Sequence, residues 1–163
     1  MDELTIGDIM QTEVITVGPT TTVRELAGIL AEHRISGLPV VDEEDRVVGM
    51  VSEADIIVQD AELHFPYYIQ LLDSVIYLQS FHKFEERLHK MFGSQVKEIM
   101  SEEVLAISPD ASVRDAATLM TDREINRLPV VAEGKLVGIV TRHDIVQAIA
   151  GTTAQGATTE DHV

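Results

Sequence analysis

The chain has 163 residues, of which 45% are apolar and 25% charged. This balance is typical of a globular protein, and the length suits one ordinary domain or two small ones. Twelve basic residues against 28 acidic residues give a formal net charge of −16, which disfavours nucleic acid and anionic membranes as partners. There is no cysteine and no apolar run of the ~18 residues that a membrane helix needs, so we expect a cytoplasmic protein without disulfides.

A repeated pattern covers most of the chain. Residues 9–17 read IMQTEVITV and residues 99–107 read IMSEEVLAI. RISGLPVV at 34–41 returns as EINRLPVV at 124–131, and VVGMVSEADI at 47–56 returns as LVGIVTRHDI at 136–145. The offset is 90 residues up to Val41 and Val131 and 89 residues beyond them, because the second hairpin loop is one residue shorter. Matches in the same order indicate an internal duplication.

Each copy predicts the element order β-α-β-β-α. In the first copy, Thr22 and Glu25 form a capping box at the start of a helix, and Ser112 and Asp115 are the shorter-armed version in the second copy. Apolar residues at i, i+3, i+4 and i+7 then predict a helix with one buried stripe: Val23, Leu26, Ala27 and Leu30. The remaining predicted elements are strands at Val14–Val17, Leu38–Val41 and Val47–Val51, a turn at Asp42–Arg46, and a last helix from Ser52 or Glu53.

The segment between the copies differs from both of them. All seven aromatic residues of the protein fall within residues 65–92, and no glycine or internal proline interrupts the chain from Pro66 to about Met91. We therefore expect one long helix of about 25 residues. Its apolar positions cover more than one face, so we expect it to pack against its symmetry mate in a homodimer. The alternative is that this helix folds back and completes the core of its own chain.

These patterns divide the chain into four parts. Residues 1–60 hold the first copy, residues 61–95 the aromatic-rich helical insert, and residues 96–150 the second copy. The last part, residues 151–163, is small and polar, and we expect it to be disordered.

The repeated motifs resemble those of the CBS domain family, named after cystathionine beta-synthase. Each copy has an LPVV strand followed by Gly, two apolar residues, Ser or Thr, any two residues, and Asp, here Gly49–Asp55 and Gly138–Asp144. The resemblance implies an α/β (α+β) fold in which two β-α-β-β-α units pack through their sheets about a pseudo-two-fold axis. It also implies clefts between the copies that bind AMP, ADP, ATP or S-adenosylmethionine as regulatory ligands, with no cofactor required.

The signature has a chemistry of its own. An Asp carboxylate in the first turn of a helix presents two acceptor oxygens that match the 2′ and 3′ hydroxyls of a ribose, and hydrogen bonds to a charged acceptor are strong. The Ser or Thr hydroxyl can reach a ribose or phosphate oxygen, and the free amides favour an anion. By family resemblance each site mixes the copies. One site would combine Ile15, Ile35 and Ser36 with Ile139, Thr141 and Asp144, and the other would combine Leu105, Ile125 and Asn126 with Met50, Ser52 and Asp55.

A simpler interpretation of the signature is that the acid only caps its helix, since Ser-x-x-Asp and Thr-x-x-Asp are ordinary helix starts. The copies also differ in charge, because Arg127 and Arg142 replace Gly37 and Glu53 of the first copy. We therefore expect a phosphate-bearing ligand to prefer the site at Asp144.

Three functions follow from this pattern. The first is a stand-alone regulatory protein that senses an adenosine compound and passes its state to an unknown partner protein. The second is a homo-oligomeric assembly module whose clefts bind nothing. The third is an enzyme, which is poorly supported because no Ser-His-Asp arrangement, phosphate-binding glycine loop or cysteine metal motif is present. His82 and His89 lie two helical turns apart, too far to share one metal ion, so we expect neither a catalytic nor a metal site.

Overall fold

The computed structural model describes residues 4–61, 68–71, 74–77 and 93–156. The helices are α1 (Ile6–Ile9), α2 (Val23–His33), α3 (Glu53–Ala61), α4 (Val113–Asp122) and α5 (Arg142–Gly156), and a 3-10 helix spans Val96–Glu98. The strands are β1 (Gly37–Val41), β2 (Val47–Ser52), β3 (Tyr68–Leu71), β4 (Ser74–Tyr77), β5 (Arg127–Ala132) and β6 (Lys135–Thr141). The predicted helix, hairpin and closing helix are therefore present in both copies.

The first long helix of each copy begins where its cap predicts. At α2, the Glu25 N–H donates to Thr22 Oγ1 at 3.2 Å, and the Thr22 N–H donates back to Glu25 Oε2 at 2.9 Å. At α4, the Asp115 N–H donates to Ser112 Oγ at 3.0 Å. Three of the four predicted stripe residues of α2 are buried, and the fourth, Ala27, is half-buried. Local capping and apolar spacing thus place these helices.

The predicted strand at Val14–Val17 is wrong, because only Val17 pairs. The Val17 N–H donates to the Pro39 carbonyl at 3.3 Å, and the Val41 N–H donates to the Val17 carbonyl at 2.9 Å. A longer parallel ladder would next need an N–H from Pro39, which proline lacks. The second copy repeats this arrangement, with Ile107 in a single parallel bridge to Val130, next to Pro129.

Packing divides the chain into two units that do not follow the order of the repeats. The unit that we call the Asp144 unit contains residues 4–14, 44–47 and 105–156, and the Asp55 unit contains the described residues of 15–43 and 48–104. Ile6 is fully buried in the core of the Asp144 unit, and Val96 is fully buried in the core of the Asp55 unit. We call residues 4–14 and their equivalents, residues 94–104, the leading segments of the two repeats. The leading segment of each repeat therefore completes the core of the other repeat.

In each unit, one hairpin, β5–β6 or β1–β2, is extended on both sides by neighbouring segments. In the Asp144 unit, β5 pairs with β6 from Arg127 opposite Thr141 to Ala132 opposite Lys135, with an irregularity between Val130 and Val131. Gln11 then pairs with Ile139 on the free edge of β6. In the Asp55 unit, Ser101 pairs in the same way with Met50 of β2. Both edges of each hairpin are thereby covered.

The insert is not a single long helix. Strands β3 and β4 form an antiparallel hairpin in which Tyr68 lies opposite Tyr77 and Leu71 lies opposite Ser74. The predicted helix is therefore wrong over residues 68–71 and 74–77, where aromatic and β-branched residue types favour strands. The rest of that prediction, with residues 78–91, lies outside the described residues.

Helix α5 continues to Gly156, whereas the sequence predicted disorder from Gly151 onward. The remainder of that prediction, residues 157–163, lies outside the described part of the chain. Within the described part, no helix combines the length and apolarity that crossing a membrane requires.

Candidate functional site

The two signatures lie where a strand passes directly into a helix, β2 into α3 and β6 into α5. At the second junction, the Thr141 N–H and the Thr141 hydroxyl both donate to Asp144 Oδ2, each at 2.7 Å. At the first junction, the Ser52 N–H and hydroxyl donate to Asp55 Oδ2 at 2.7 and 3.0 Å. Each carboxylate therefore caps its own helix through one oxygen and holds the other oxygen, Oδ1, away from the cap.

The second carboxylate oxygen distinguishes the two junctions. Oδ1 of Asp144 accepts a hydrogen bond from the Gln11 side-chain amide at 2.9 Å, and the Asp144 residue is only 8% exposed. Asp55 is half-buried, and within the described part of the chain its Oδ1 accepts no hydrogen bond. A carboxylate has about four acceptor positions, so the described residues occupy fewer of these positions at Asp55 than at Asp144.

Gln11 was not among the predicted site residues. It belongs to the leading segment of the first repeat, and its backbone pairs with Ile139 of β6 through two hydrogen bonds of 2.9 Å. The equivalent backbone pair joins Ser101 to Met50, with bonds of 3.0 and 2.9 Å. The repeat alignment shows that Gln11 and Ser101 occupy equivalent positions, but no spacing in the sequence indicates which repeat they contact.

The glycine of each signature makes room for this leading segment. A Cβ built on Gly138 would lie 2.5 Å from Met10 Sδ and 3.1 Å from the Gln11 carbonyl oxygen. A Cβ on Gly49 would meet Met100 Sδ and the Ser101 carbonyl oxygen at the same two distances. Because glycine has no Cβ, the leading segment can pack directly against the signature strand at both positions.

The two arginines predicted to favour phosphate differ in their surroundings. Arg142 donates from Nε to the Ile125 carbonyl at 3.1 Å and from Nη2 to the Met120 carbonyl at 3.2 Å. These bonds tie the start of α5 to the end of α4 and use two of the five guanidinium donors. Arg127 lies opposite Thr141 in the β5–β6 ladder, on the same face of the hairpin.

The other predicted site residues flank the same junctions. The Arg142 N–H donates to the Asn126 carbonyl at 3.0 Å, and the Glu53 N–H donates to the Ser36 carbonyl at 2.9 Å. Ile15 and Ile35 pack against the core of the Asp55 unit, and Leu105 and Ile125 pack against the core of the Asp144 unit. Each unit therefore brings together about half of the members of each predicted site, and the mixed combinations of residues remain predictions.

The sequence profile of the CBS domain matches residues 6–62 and 96–151. The chain belongs to the CBS domain family. The two matched regions make it a tandem CBS pair with the Bateman fold, as the resemblance predicted.

Related CBS proteins come from plants, archaea and bacteria. The CBS domain-containing protein CBSX1 of Arabidopsis thaliana is 35% identical over 155 residues, which cover 88% of this chain and 63% of that protein. An uncharacterized protein of Methanocaldococcus jannaschii is 32% identical over 152 residues, covering 88% of this chain and 90% of the relative. This CBS pair thus spans less than two thirds of CBSX1.

A solved structure extends the likeness to three dimensions. The crystal structure of CBSX2, an Arabidopsis thaliana CBS-pair protein, in complex with AMP has 30% identity and a TM-score of 0.70, covering 91% of this chain and 98% of that chain. The CBS domain pair of protein MJ0100, crystallised with 5′-methylthioadenosine and S-adenosyl-L-methionine, has 26% identity and a TM-score of 0.66, covering 92% and 98%.

The junctions contain hydrogen-bonding groups and no metal-binding cluster. Within the described ranges, no group of three or more His, Asp or Glu side chains could hold a metal ion. Every buried polar side-chain atom there has a hydrogen-bond partner. Each junction therefore presents a carboxylate oxygen and backbone amides at a helix start, and the Asp144 junction also has a nearby guanidinium. Together these groups can bind a polar ligand reversibly.

Proposed function

We propose that this CBS pair is a regulatory protein that binds an adenosine compound, of the AMP, ADP, ATP or S-adenosylmethionine type, at its strand-to-helix junctions. The proposal rests mainly on one feature, the carboxylate whose Oδ2 is tied to the helix cap while Oδ1 is held away from it. Such an oxygen can accept hydrogen bonds from ribose hydroxyls without loss of the cap. Crystal structures of CBS pairs with AMP and with adenosyl compounds support the same ligand class.

The protein would act by changing state rather than by catalysing a reaction. A ligand that binds only the folded form stabilises it by RT ln(1 + [L]/Kd), about 2.7 kcal/mol at 100 times Kd. A ligand that binds one folded arrangement more tightly than another shifts the population towards it by that difference in affinity, and a separate partner protein would detect the change.

The ligand and capping roles of Asp55 and Asp144 can be separated by mutation. We expect Asp55→Ala and Asp144→Ala each to abolish one binding event in isothermal titration calorimetry with AMP, or to weaken it at least tenfold. Adenosine, ATP and S-adenosylmethionine would be titrated in parallel to rank the ligands.

Glu25 provides a matched control, because it caps α2 with the same donors: its Oε2 accepts from the Thr22 N–H at 2.9 Å and hydroxyl at 3.0 Å. Glu25→Ala should lower the melting temperature as a cap mutation does, by the equivalent of about 1 kcal/mol, and leave AMP affinity unchanged. If both aspartate variants keep wild-type affinity and only lose stability, the carboxylates are caps and the proposed function is wrong.

We propose in addition that the protein is a homodimer. Large apolar side chains are exposed at equivalent positions of the two closing helices, Ile57 of α3 and Val146 of α5, each 61% exposed, and Ile149 of α5 is 60% exposed. Repeated apolar exposure of this kind favours self-association. Assembly without any ligand remains the second candidate function, and the calorimetry above distinguishes the two.

A further inference from the structure

The two junctions of this CBS pair differ in one side chain that contacts the carboxylate. Gln11 Nε2 donates to Asp144 Oδ1 at 2.9 Å. The equivalent residue beside Asp55 is Ser101, and within the described part of the chain no side chain donates to Asp55 Oδ1. The bonds to Oδ2 are the same at both junctions, from the N–H and the hydroxyl of Thr141 or Ser52.

The two junctions differ in this side-chain bond because Gln11 and Ser101 differ in length. Their backbones make equivalent hydrogen bonds. Gln11 pairs with Ile139 through two backbone bonds of 2.9 Å, and Ser101 pairs with Met50 through bonds of 3.0 and 2.9 Å. The methionine before each of them also packs over the signature glycine in the same way. A Cβ built on either glycine would lie 2.5 Å from the sulfur of that methionine. A glutamine amide extends two carbons further from the backbone than a serine hydroxyl, so only Gln11 reaches the carboxylate.

The bond occupies the oxygen that a ribose would use. We infer that Gln11 competes with the ligand for Asp144 Oδ1, whereas Ser101, with its shorter side chain, does not compete for Asp55 Oδ1. The inference rests on the proposed function, because it assumes that a hydroxyl-bearing ligand binds these carboxylates. Gln11 is exposed while Asp144 is buried, so the glutamine can swing into solvent and release the carboxylate.

Competition of this kind predicts opposite effects of reciprocal substitutions. Gln11→Ser removes a donor that must be displaced before the ligand binds, and Ser101→Gln adds one. A net hydrogen bond of ordinary strength corresponds to an affinity change of about three- to tenfold. The AMP affinity of each site is compared with and without the substitution at that same site. The different charges of Arg142 and Glu53 therefore do not affect the comparison.

The experiment measures AMP affinity by isothermal titration calorimetry in two backgrounds that each keep one site. In Asp55→Ala, which keeps the Asp144 site, adding Gln11→Ser should tighten AMP binding about three- to tenfold. In Asp144→Ala, which keeps the Asp55 site, adding Ser101→Gln should weaken it by a similar factor. Circular dichroism melting of all four proteins checks that they are folded.

The outcomes separate the inference from the proposed function. If AMP binds both backgrounds and the Gln11 and Ser101 substitutions change affinity less than twofold, the competition is refuted while the ligand site stands. If Gln11→Ser weakens binding, Gln11 contacts the ligand instead of opposing it, and the inference is equally wrong. If none of the folded proteins binds AMP, adenosine, ATP or S-adenosylmethionine, both the proposed function and the inference fall.

Discussion

Replacing Gly138 by alanine tests the packing on which the Asp144 junction depends. The added Cβ would lie 2.5 Å from Met10 Sδ, 3.0 Å from Met10 Cγ and 3.1 Å from the Gln11 carbonyl oxygen. Ordinary van der Waals contact begins near 3.5 Å, so the sulfur must retreat by about 1 Å. The thioether can rotate away, but the backbone oxygen is held by the Ile139 N–H at 2.9 Å and must move with its segment.

We expect Gly138→Ala to lower the free energy of unfolding by about 1–3 kcal/mol, the typical cost of overpacking a well-packed site. For a chain of this size, that loss lowers the melting temperature by about 2–12 °C. Gly49→Ala should behave in the same way, because its Cβ would meet Met100 and Ser101 at matching distances. Thermal unfolding followed by circular dichroism measures all of these variants.

Two further variants make the test specific. Gly28 lies inside α2 with nothing within 4 Å of a built Cβ, so Gly28→Ala should raise stability by about 0.5–1 kcal/mol through helix propensity. Met10→Ala combined with Gly138→Ala should be less destabilised than the two single losses together, because the shorter side chain removes the clash. If Gly138→Ala stabilises like Gly28→Ala, or if the double mutant is simply additive, the packing argument is refuted.

The remaining predictions concern acid stability, assembly and charge. The Thr22 N–H and hydroxyl hold the pKa of the Glu25 carboxyl below its usual value, so the ionised cap stabilises the fold above about pH 4 and this contribution is lost as the pH falls through the lowered pKa. The difference in melting temperature between wild type and Glu25→Gln should therefore be constant near neutral pH and shrink below about pH 4; a constant difference down to pH 3 would contradict the cap. Light scattering at micromolar concentration should find about twice the 18.0 kDa mass of one chain, and Val146→Glu, on an exposed position, should release folded monomers; a wild-type monomer would end the homodimer proposal. In the Asp55→Ala background, raising KCl from about 0.1 to 1 M should weaken AMP binding more than adenosine binding, since salt screens phosphate attraction to Arg127 and Arg142; equal weakening would refute the predicted phosphate preference.

The junction chemistry was accessible from the sequence in part. The sequence predicted a capping role and a ligand role for the two signature aspartates, and the structure shows the cap bonds, which Oδ2 accepts at Asp55 and Asp144 alike. Their ligand role stays a prediction. Arg142 was predicted as a phosphate contact from its charge alone. Its bonds to the Ile125 and Met120 carbonyls depend on how α4 ends beside α5, which no local pattern encodes.

The insert shows where residue patterns mislead. Absence of glycine and proline from Pro66 to Met91 predicted a helix, but freedom from helix breakers is equally compatible with strands. Tyr68–Leu71 and Ser74–Tyr77 pair as a hairpin. Their aromatic and β-branched residues favour that structure once a partner strand is adjacent, because β-propensity depends on context more than helix propensity does.

The sequence by itself determined the elements of each CBS motif, because caps, apolar periodicity and hairpin strands are encoded by residues within a few positions of one another. Thr22 with Glu25 and Thr141 with Asp144 are such pairs, each separated by three residues. Tertiary structure alone decided which repeat receives each leading segment, and so brought Gln11 to Asp144 across 133 residues. Because the two leading segments are nearly identical in pattern, local energetics cannot distinguish the exchanged from the unexchanged arrangement. The long-range packing that buries Ile6 and Val96 in the opposite repeats does distinguish them.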